Sequence, residues 1–172
     1  NTIEILLDDS IYIPTLNLSK SLINKLKSFA TFENPQIKTL LSLRKPLYNT
    51  PKYIRSFEEN ETYLILPRGL KEQIIDFFNI NAVSFSFIDN RYFKQIETRK
   101  VTFNLRPEQN DAIKEIKKTD LSICVAPPGF GKTLIGAKIF EIRACSTIIV
   151  VNKNMLLNQW IERFVDYFGY EK

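Results

Sequence analysis

A glycine-rich segment in the second half of the chain restricts its fold more than any other feature. Residues 126–133 read Ala-Pro-Pro-Gly-Phe-Gly-Lys-Thr. The apolar run 121–126 at the start of this segment predicts a short strand, and residues 132–143 after it predict a helix. Gly129 and Gly131 allow backbone conformations that other residues avoid. A strand, a glycine-rich turn and a helix in this order predict the start of a parallel sheet with crossover helices, an α/β fold.

The same segment predicts a P-loop, a site for the phosphates of a nucleotide. Backbone N–H groups of such a loop surround the phosphates, and the helix that follows adds positive potential at its N-terminus. Lys132 would approach the β- and γ-phosphates, and Thr133 would offer its hydroxyl to Mg²⁺. Lys132 and Thr133 are therefore the predicted catalytic residues, and Thr133 is the predicted metal ligand. The other loop residues predicted to bind the cofactor are Pro128, Gly129, Phe130 and Gly131. A turn without a ligand is the alternative.

A glutamine ahead of the loop predicts which base the nucleotide carries. Residues 105–109 read Leu-Arg-Pro-Glu-Gln and open a predicted helix over residues 106–118. A glutamine amide can accept from the adenine N6 amine and donate to N7 at once. Gln109, together with Arg106, is therefore assigned to the cofactor site, and ATP with Mg²⁺ is the predicted cofactor. A solvated helix glutamine is the alternative for Gln109.

The residue pattern predicts two domains. Residues 1–98 predict a small α+β domain, with strands at 2–7, 10–14, 52–57, 62–66 and 82–88 and helices at 18–29, 34–43 and 68–78. Asn34 is the predicted cap of the second helix, with Pro35 in its first turn. Residues 99–172 predict the first part of an α/β lobe. Its second strand, residues 147–151, is predicted to be buried on both faces, and its last helix, 154–168, to end at Gly169.

Basic residues alternate with tyrosines between residues 44 and 71, a composition that suits nucleic-acid contact. The predicted nucleic-acid contacts are Arg44, Lys45, Lys52, Arg55, Arg68 and, at the start of the last helix, Lys153. The formal net charge of +5 permits a polyanionic partner. Three glutamates between residues 58 and 61 lie in the same stretch, so a solvated face of a structural domain is an equal alternative.

Composition excludes several classes of function. The chain has no histidine, which rules out histidine-based catalysis and histidine metal ligands. No apolar run approaches the roughly 20 residues that span a bilayer, so no membrane partner is predicted. Cys124 and Cys145 lie in apolar stretches and predict buried, reduced thiols of a cytoplasmic protein. The first residues, Asn-Thr-Ile-Glu-Ile, contain neither an initiator methionine nor a signal-peptide pattern, so we expect a piece of a longer chain.

Taken in order, these segments resemble superfamily 2 DNA helicases. Residues 105–109 look like the adenine-reading motif ahead of motif I, and residues 126–133 look like motif I itself. Residues 147–160 resemble motif Ia, and their Leu-Leu-Asn-Gln-Trp ending resembles the XPB-type and restriction-type branches. Residues 34–35, 48–51 and 64–70 extend the resemblance towards the helicase of bacterial TOTE-type conflict systems, which pair it with a primase-polymerase. One departure is Asn152-Lys153, where the family usually has Pro or His before a polar or basic residue.

The resemblance implies an ATP-dependent DNA helicase or translocase. Residues 99–172 would be the first part of its RecA-like lobe 1, ending after motif Ia, and residues 1–98 an accessory domain that contacts duplex DNA. The chain contains no Asp-Glu-x-Asp or Asp-Glu-x-His sequence. The Walker B acid and the second lobe are therefore expected elsewhere in the parent chain, as partners of this fragment, and the fragment alone is expected to be inactive. A non-catalytic nucleic-acid-binding module with a retained P-loop, and an unrelated P-loop NTPase or kinase, are the alternatives.

Overall fold

The computed structural model describes residues 2–170 and divides into two compact units, the first ending at Tyr92 and the second beginning at Phe93. The boundary predicted from the sequence, between residues 98 and 99, lies a few positions further along the chain. None of the helices within residues 2–170 has the length and apolar character needed to cross a membrane.

The first unit contains a mixed five-stranded sheet with helices. Its elements in chain order are β1 (Ile3–Leu7), β2 (Ile11–Pro14), α1 (Lys20–Phe29), β3 (Thr31–Glu33), α2 (Pro35–Ser42), β4 (Tyr53–Arg55), β5 (Glu58–Glu59), β6 (Tyr63–Leu66), a 3-10 turn (Arg68–Leu70), α3 (Lys71–Ile80) and β7 (Phe85–Asp89). The strand order is β5-β6-β2-β1-β7. The β1–β7 pair is parallel and the other pairs of this sheet are antiparallel. Strands β3 and β4 form a separate antiparallel pair.

Alternating strand positions and the apolar stripes of two helices form the core of the first unit. Ile5 of β1 and Ile11 and Ile13 of β2 are fully buried, because residues two apart in a strand point to the same face. Leu26 of α1 and Phe78 of α3 are fully buried in the same cluster. Each such side chain stabilises the fold by roughly 1.5–3 kcal/mol. The predicted hairpin of the first two strands is confirmed, with Leu7 opposite Ile11.

The predicted cap of α2 is confirmed and has a second function. The side-chain oxygen of Asn34 accepts a hydrogen bond from the Gln36 backbone N–H at 3.0 Å, and Pro35 is the first helical residue. The Asn34 amide nitrogen donates to the Pro51 carbonyl at 3.1 Å. Asn34 is buried, so both bonds are shielded from water. It therefore joins the start of α2 to the segment that leads into β4.

The second unit contains three α-helices within its described residues: α4 (Pro107–Lys117), α5 (Lys132–Arg143) and α6 (Asn154–Phe168). Helices α5 and α6 have the bounds predicted from the sequence. Gly169 caps α6 in a left-handed conformation with φ 62°, as predicted. Helices α5 and α6 pack through aromatic contacts. These join Phe140 of α5 to Phe164 and Phe168 of α6, with ring centroids 5.5 Å apart in both pairs.

The predicted strands of the second unit do not form. Within the described part of this unit, neither residues 121–126 nor residues 147–151 pair with a strand, and Gln95 and Cys145 form only an isolated bridge. A strand requires a hydrogen-bonded neighbour, and without one both segments remain open to solvent. Ile148 is 89% exposed, so the prediction that residues 147–151 are buried on both faces is wrong. In the other segment Val125 is 90% exposed. Cys124 is exposed and Cys145 is half-buried, so the prediction that both thiols are buried is wrong.

Residues ahead of α4 are held against α5 and α6 by polar contacts. The Glu141 carboxylate of α5 accepts hydrogen bonds from the Val101 backbone N–H at 2.9 Å and from the Lys138 ammonium at 2.7 Å. Burial alone would raise the pKa of Glu141, but these hydrogen bonds and the nearby cations outweigh it and lower the pKa. The Arg99 guanidinium donates to the Gly169 carbonyl beyond α6. These contacts hold the segment that contains Arg99 and Val101 against α5 and the end of α6, before the chain enters α4.

Candidate functional site

The two glycines of the loop serve different purposes. Gly129 has φ 77° and Gly131 has φ 95°, both in the left-handed region that favours glycine. A Cβ on Gly131 would lie 2.5 Å from the Gln109 amide nitrogen, so the loop and α4 approach each other too closely for a side chain there. A Cβ on Gly129 would meet nothing within 4 Å. Gly131 therefore permits close packing, whereas Gly129 permits a turn on an open side of the loop.

Lys132 spans the loop from the first residue of α5. Its ammonium donates to the Ala126 carbonyl at 2.7 Å and to the Pro127 carbonyl at 3.0 Å. Among residues 2–170, no carboxylate lies within ion-pair distance of this exposed ammonium. The α5 N-cap is Gly131, which offers no side chain to the first N–H groups of the helix. An uncompensated cation beside free helix N–H groups fits a phosphate group, which would supply acceptors for both.

Gln109 is part of the protein framework rather than a solvated helix residue. It is 2% exposed, so the solvated alternative is wrong. Its side-chain oxygen accepts from the Arg106 backbone N–H at 2.9 Å, the bond that a residue at the third helical position makes in a capping box. Its amide nitrogen donates to the Phe130 carbonyl at 2.7 Å. These two partners also fix which side-chain atom is oxygen and which is nitrogen.

Arg106 contacts the same point of the loop. Its guanidinium donates to the Phe130 carbonyl at 2.7 Å and lies over the Phe130 ring, with its central carbon 5.9 Å from the ring centroid. The structure therefore brings the first turn of α4 against the loop, as the assignment of Arg106 and Gln109 to one site requires. Thr133, the predicted metal ligand, is the second residue of α5, and Pro128 is exposed on the turn.

Within residues 2–170 no group of three or more acidic or thiol side chains could hold a metal ion. A magnesium ion at Thr133 would therefore need phosphate oxygens and water to complete its ligands, which is the usual arrangement for this ion.

Gly136 and Trp160 form a contact that the sequence analysis missed. An added Cβ at Gly136 of α5 would lie 2.7 Å from the Trp160 ring of α6. Trp160 also contacts Phe164, with ring centroids 5.7 Å apart, so the tryptophan packs between α5 and the next turn of α6. The only signal in the sequence is a glycine within a helix, four positions after Lys132, and such a glycine usually has a packing reason.

The predicted nucleic-acid contacts are all exposed, but the structure distributes them over several segments. Arg44 and Lys45 follow α2, Lys52 precedes β4, Arg55 is the last residue of β4, and Arg68 opens the 3-10 turn. Within the described residues none of these five cations has a carboxylate within ion-pair distance. Glu59, one of the three glutamates in this stretch, pairs instead with Lys27 at 2.7 Å. In the second unit, Lys153 is exposed at the N-cap of α6.

A shallow groove of about 570 Å³ lies between α1 and the β3–β4 pair of the first unit. Arg55 brings positive charge to it, Tyr53 and Phe57 bring aromatic rings, and Glu33 brings negative charge. Lys27 also lines the groove and is paired with Glu59. The Lys27 ammonium lies over the Phe57 ring at 5.7 Å from its centroid. Arg55 beside partly exposed rings is compatible with the nucleic-acid contact predicted for this stretch, whereas Glu33 and Glu59 oppose it.

One protein-family model matches the second part of the chain. Residues 102–172 match the family described as type III restriction enzyme, res subunit. The matched range contains α4, the glycine-rich loop, α5 and α6. The match covers less than half of the chain. Together with the relatives below, it supports a helicase-type protein in general.

Two curated relatives carry helicase or translocase names. The DNA 3'-5' translocase XPB2 of Sulfurisphaera tokodaii is 34% identical over 106 residues, covering 53% of this chain and 24% of the relative. The probable helicase D10 of Escherichia phage T5 is 24% identical over 97 residues, covering 56% of this chain and 21% of the relative. The chain thus spans less than a quarter of the length of either protein.

Solved structures show the same fold over nearly the whole chain. A crystal structure of the UvsW helicase of bacteriophage T4 matches with a TM-score of 0.64 at 21% identity, covering 99% of this chain and 65% of that one. A second structure of T4 UvsW matches with a TM-score of 0.65, also at 21% identity, covering 99% of this chain and 37% of the other. At this identity the similarity establishes the fold alone.

Proposed function

We propose that this chain is the N-terminal part of an ATP-dependent DNA helicase or translocase, in which residues 126–133 bind ATP with Mg²⁺. Residues 99–172 would belong to the first RecA-like lobe and residues 1–98 to an accessory domain. The observation that carries the proposal is the loop at the start of α5. The Lys132 ammonium bonds the Ala126 carbonyl across this loop, and the Gln109 amide of α4 bonds the Phe130 carbonyl. The family match over residues 102–172 supports it.

Each loop residue has a definite part in the proposed site. Lys132 would exchange its two carbonyl partners for phosphate oxygens, and the first N–H groups of α5 would donate hydrogen bonds to the same anion. Thr133 holds Mg²⁺ through its hydroxyl. The bound nucleotide supplies a phosphoanhydride bond, whose hydrolysis would drive movement along nucleic acid. Gln109 is assigned to the adenine edge, although it is 2% exposed and both its side-chain oxygen and its side-chain nitrogen already make protein hydrogen bonds.

The first experiment changes Lys132 to Ala in the intact protein. Loss of this cation removes a charge-assisted contact to the phosphates, so nucleic-acid-stimulated ATPase activity should fall by about 100-fold or more. Lys118→Ala is the matched control, because Lys118 is exposed at the end of α4 and pairs with Glu115. Circular dichroism of both variants should match the unmodified protein.

Two results of this experiment would reject the proposal. Turnover by the Lys132→Ala variant at the normal rate would show that the loop is not the nucleotide site. An unmodified protein that binds nucleic acid but never hydrolyses ATP would favour the non-catalytic module with a retained loop.

We further propose that the first unit binds duplex DNA through Arg44, Lys45, Lys52, Arg55 and Arg68, with Lys153 contacting nucleic acid from the second unit. Support comes from the exposure of these side chains and from the pairing of Glu59 with Lys27, which leaves that glutamate unavailable to them. Contacts to phosphates carry no sequence information, so binding should depend on salt and not on base sequence.

A salt titration tests this second proposal. Replacing Lys45, Lys52, Arg55 and Arg68 together by Ala should reduce the slope of log affinity against log salt by about 0.9 for each lost phosphate contact. A charge-matched control replaces Lys20, Lys25, Lys114 and Lys117, exposed cations of α1 and α4 outside the predicted set. Equal effects of the two quadruple variants would show that only net charge matters, and the proposed contacts would be withdrawn.

A further inference from the structure

One carbonyl group of the loop is bound by two side chains of α4. The Phe130 carbonyl accepts from the Arg106 guanidinium and from the Gln109 amide, each at 2.7 Å. Two donors at this distance satisfy both lone pairs of a carbonyl oxygen, and one donor is charged, which makes the stronger kind of bond. Both donors belong to the first turn of α4. That turn is itself closed by the bond from the Arg106 backbone N–H to the Gln109 side chain.

The orientation of this carbonyl fixes the orientation of the next backbone N–H. The peptide bond between Phe130 and Gly131 is trans and planar, so its C=O and N–H point in opposite directions. Since the Phe130 carbonyl points at α4, the Gly131 N–H points away from α4. Gly131 immediately precedes Lys132, where the backbone N–H groups of a phosphate-binding loop are needed.

The packing at Gly131 makes this arrangement hard to change. A Cβ there would lie 2.5 Å from the Gln109 amide nitrogen and 3.2 Å from the Leu134 side chain. At φ 95° the residue occupies a conformation that other amino acids rarely adopt. The hydrogen bonds therefore hold the peptide against α4, and the absence of a side chain at Gly131 permits this close approach.

We propose that Arg106 and Gln109 are positioning residues for the phosphate-binding loop: they hold the Phe130 carbonyl and thereby direct the Gly131 N–H towards the phosphate chain of the nucleotide. This inference rests on the proposed nucleotide site and deepens it. This role differs from base reading in its effect on affinity. Residues that orient a hydrogen-bond donor to phosphate affect the binding of every triphosphate, whichever base it carries.

The test compares ligands with and without a base. Affinities of the intact protein for ATP, GTP and inorganic tripolyphosphate are measured with Mg²⁺ by calorimetry, before and after Arg106→Ala. This change removes the side-chain donor but keeps the backbone N–H that caps α4. Asn110→Ala is the control, because Asn110 bonds the Leu105 and Arg106 carbonyls of the same turn and no atom of the loop.

The expected result is a loss of about tenfold for all three ligands in Arg106→Ala, with Asn110→Ala unchanged. The loss of affinity should persist at roughly 0.5 M salt, where ions screen a charge within a few ångströms and a distant charge therefore has little effect. Arg106→Lys, which keeps the charge and one donor, should recover part of the affinity.

Other results overturn the inference. A loss for ATP alone, with tripolyphosphate unchanged, assigns Arg106 to the base. A loss that disappears at high salt reduces its role to charge, and no loss at all removes the role. If the unmodified protein binds none of the three ligands, the nucleotide site itself is refuted, which separates that failure from a failure of the positioning role.

Discussion

Replacing Gly136 by Ala tests how tightly α5 is held against α6. The added Cβ would lie 2.7 Å from one atom of the Trp160 ring and 3.4 Å and 3.8 Å from two others. Carbon atoms prefer about 3.5–4.0 Å, so the ring must move by roughly 1 Å. Its contact with Phe164 limits that movement. Overpacking of this kind costs about 1–3 kcal/mol.

Helix propensity opposes this cost. Alanine is about 1 kcal/mol more favourable than glycine in a helix interior. The net expectation for Gly136→Ala is therefore a destabilisation of about 1 kcal/mol. Where Trp160 has been replaced by Leu, the clash is gone and the same change should stabilise α5 by up to about 1 kcal/mol. The double-mutant cycle should give a coupling of about 2 kcal/mol between the two positions.

Amide hydrogen exchange of peptides from α5 and α6 measures all four variants in the same way. Exchange reports local opening free energies, so it does not require the two units to unfold together. A stabilising Gly136→Ala in the unmodified background would refute the argument, and so would an equal effect in both backgrounds. Because α5 carries Lys132 and Thr133, the variants also test whether helix packing affects nucleotide binding.

Two further predictions follow from side-chain hydrogen bonds. Asn34→Ala removes the cap of α2 and leaves the Pro51 carbonyl without its donor, so the stability of the first unit should fall by about 2 kcal/mol. Asn34→Asp keeps the cap acceptor, so its loss of stability should be smaller. Hydrogen exchange of α2 measures both variants, and equal losses of protection would contradict this prediction. The pKa of Glu141 is lowered from the ordinary value of 4.5, so its carboxylate stabilises the fold fully above that pH and progressively less as the pH falls through the lower folded pKa. The stability difference between the unmodified chain and Glu141→Gln should therefore be constant near neutral pH and shrink in acid; a difference that grows below the ordinary pKa would contradict the assignment.

Features that depend on neighbours in sequence could be read from the chain alone. The bounds of α5 and α6, the Asn34 cap and the Gly169 end all follow from side-chain periodicity and from bonds that reach two to four residues. The glycine pattern of residues 126–133 likewise predicted the positive φ values of Gly129 and Gly131. Such interactions repeat in every protein, so their residue preferences are strong enough to be recognised in one sequence.

Features that depend on distant partners were decided by tertiary structure. The apolar residues 147–151 have strong strand propensity, yet no strand pairs with them in the described residues, because propensity cannot supply a neighbour. The parallel pairing of β1 with β7 and the contact of Gly136 with Trp160 also join residues far apart in sequence. At the site, the sequence determined that Arg106 and Gln109 lie on the first turn of a helix. Only the folded chain determined that both bind the Phe130 carbonyl, because a hydrogen bond across more than twenty residues depends on how the loop packs against that helix.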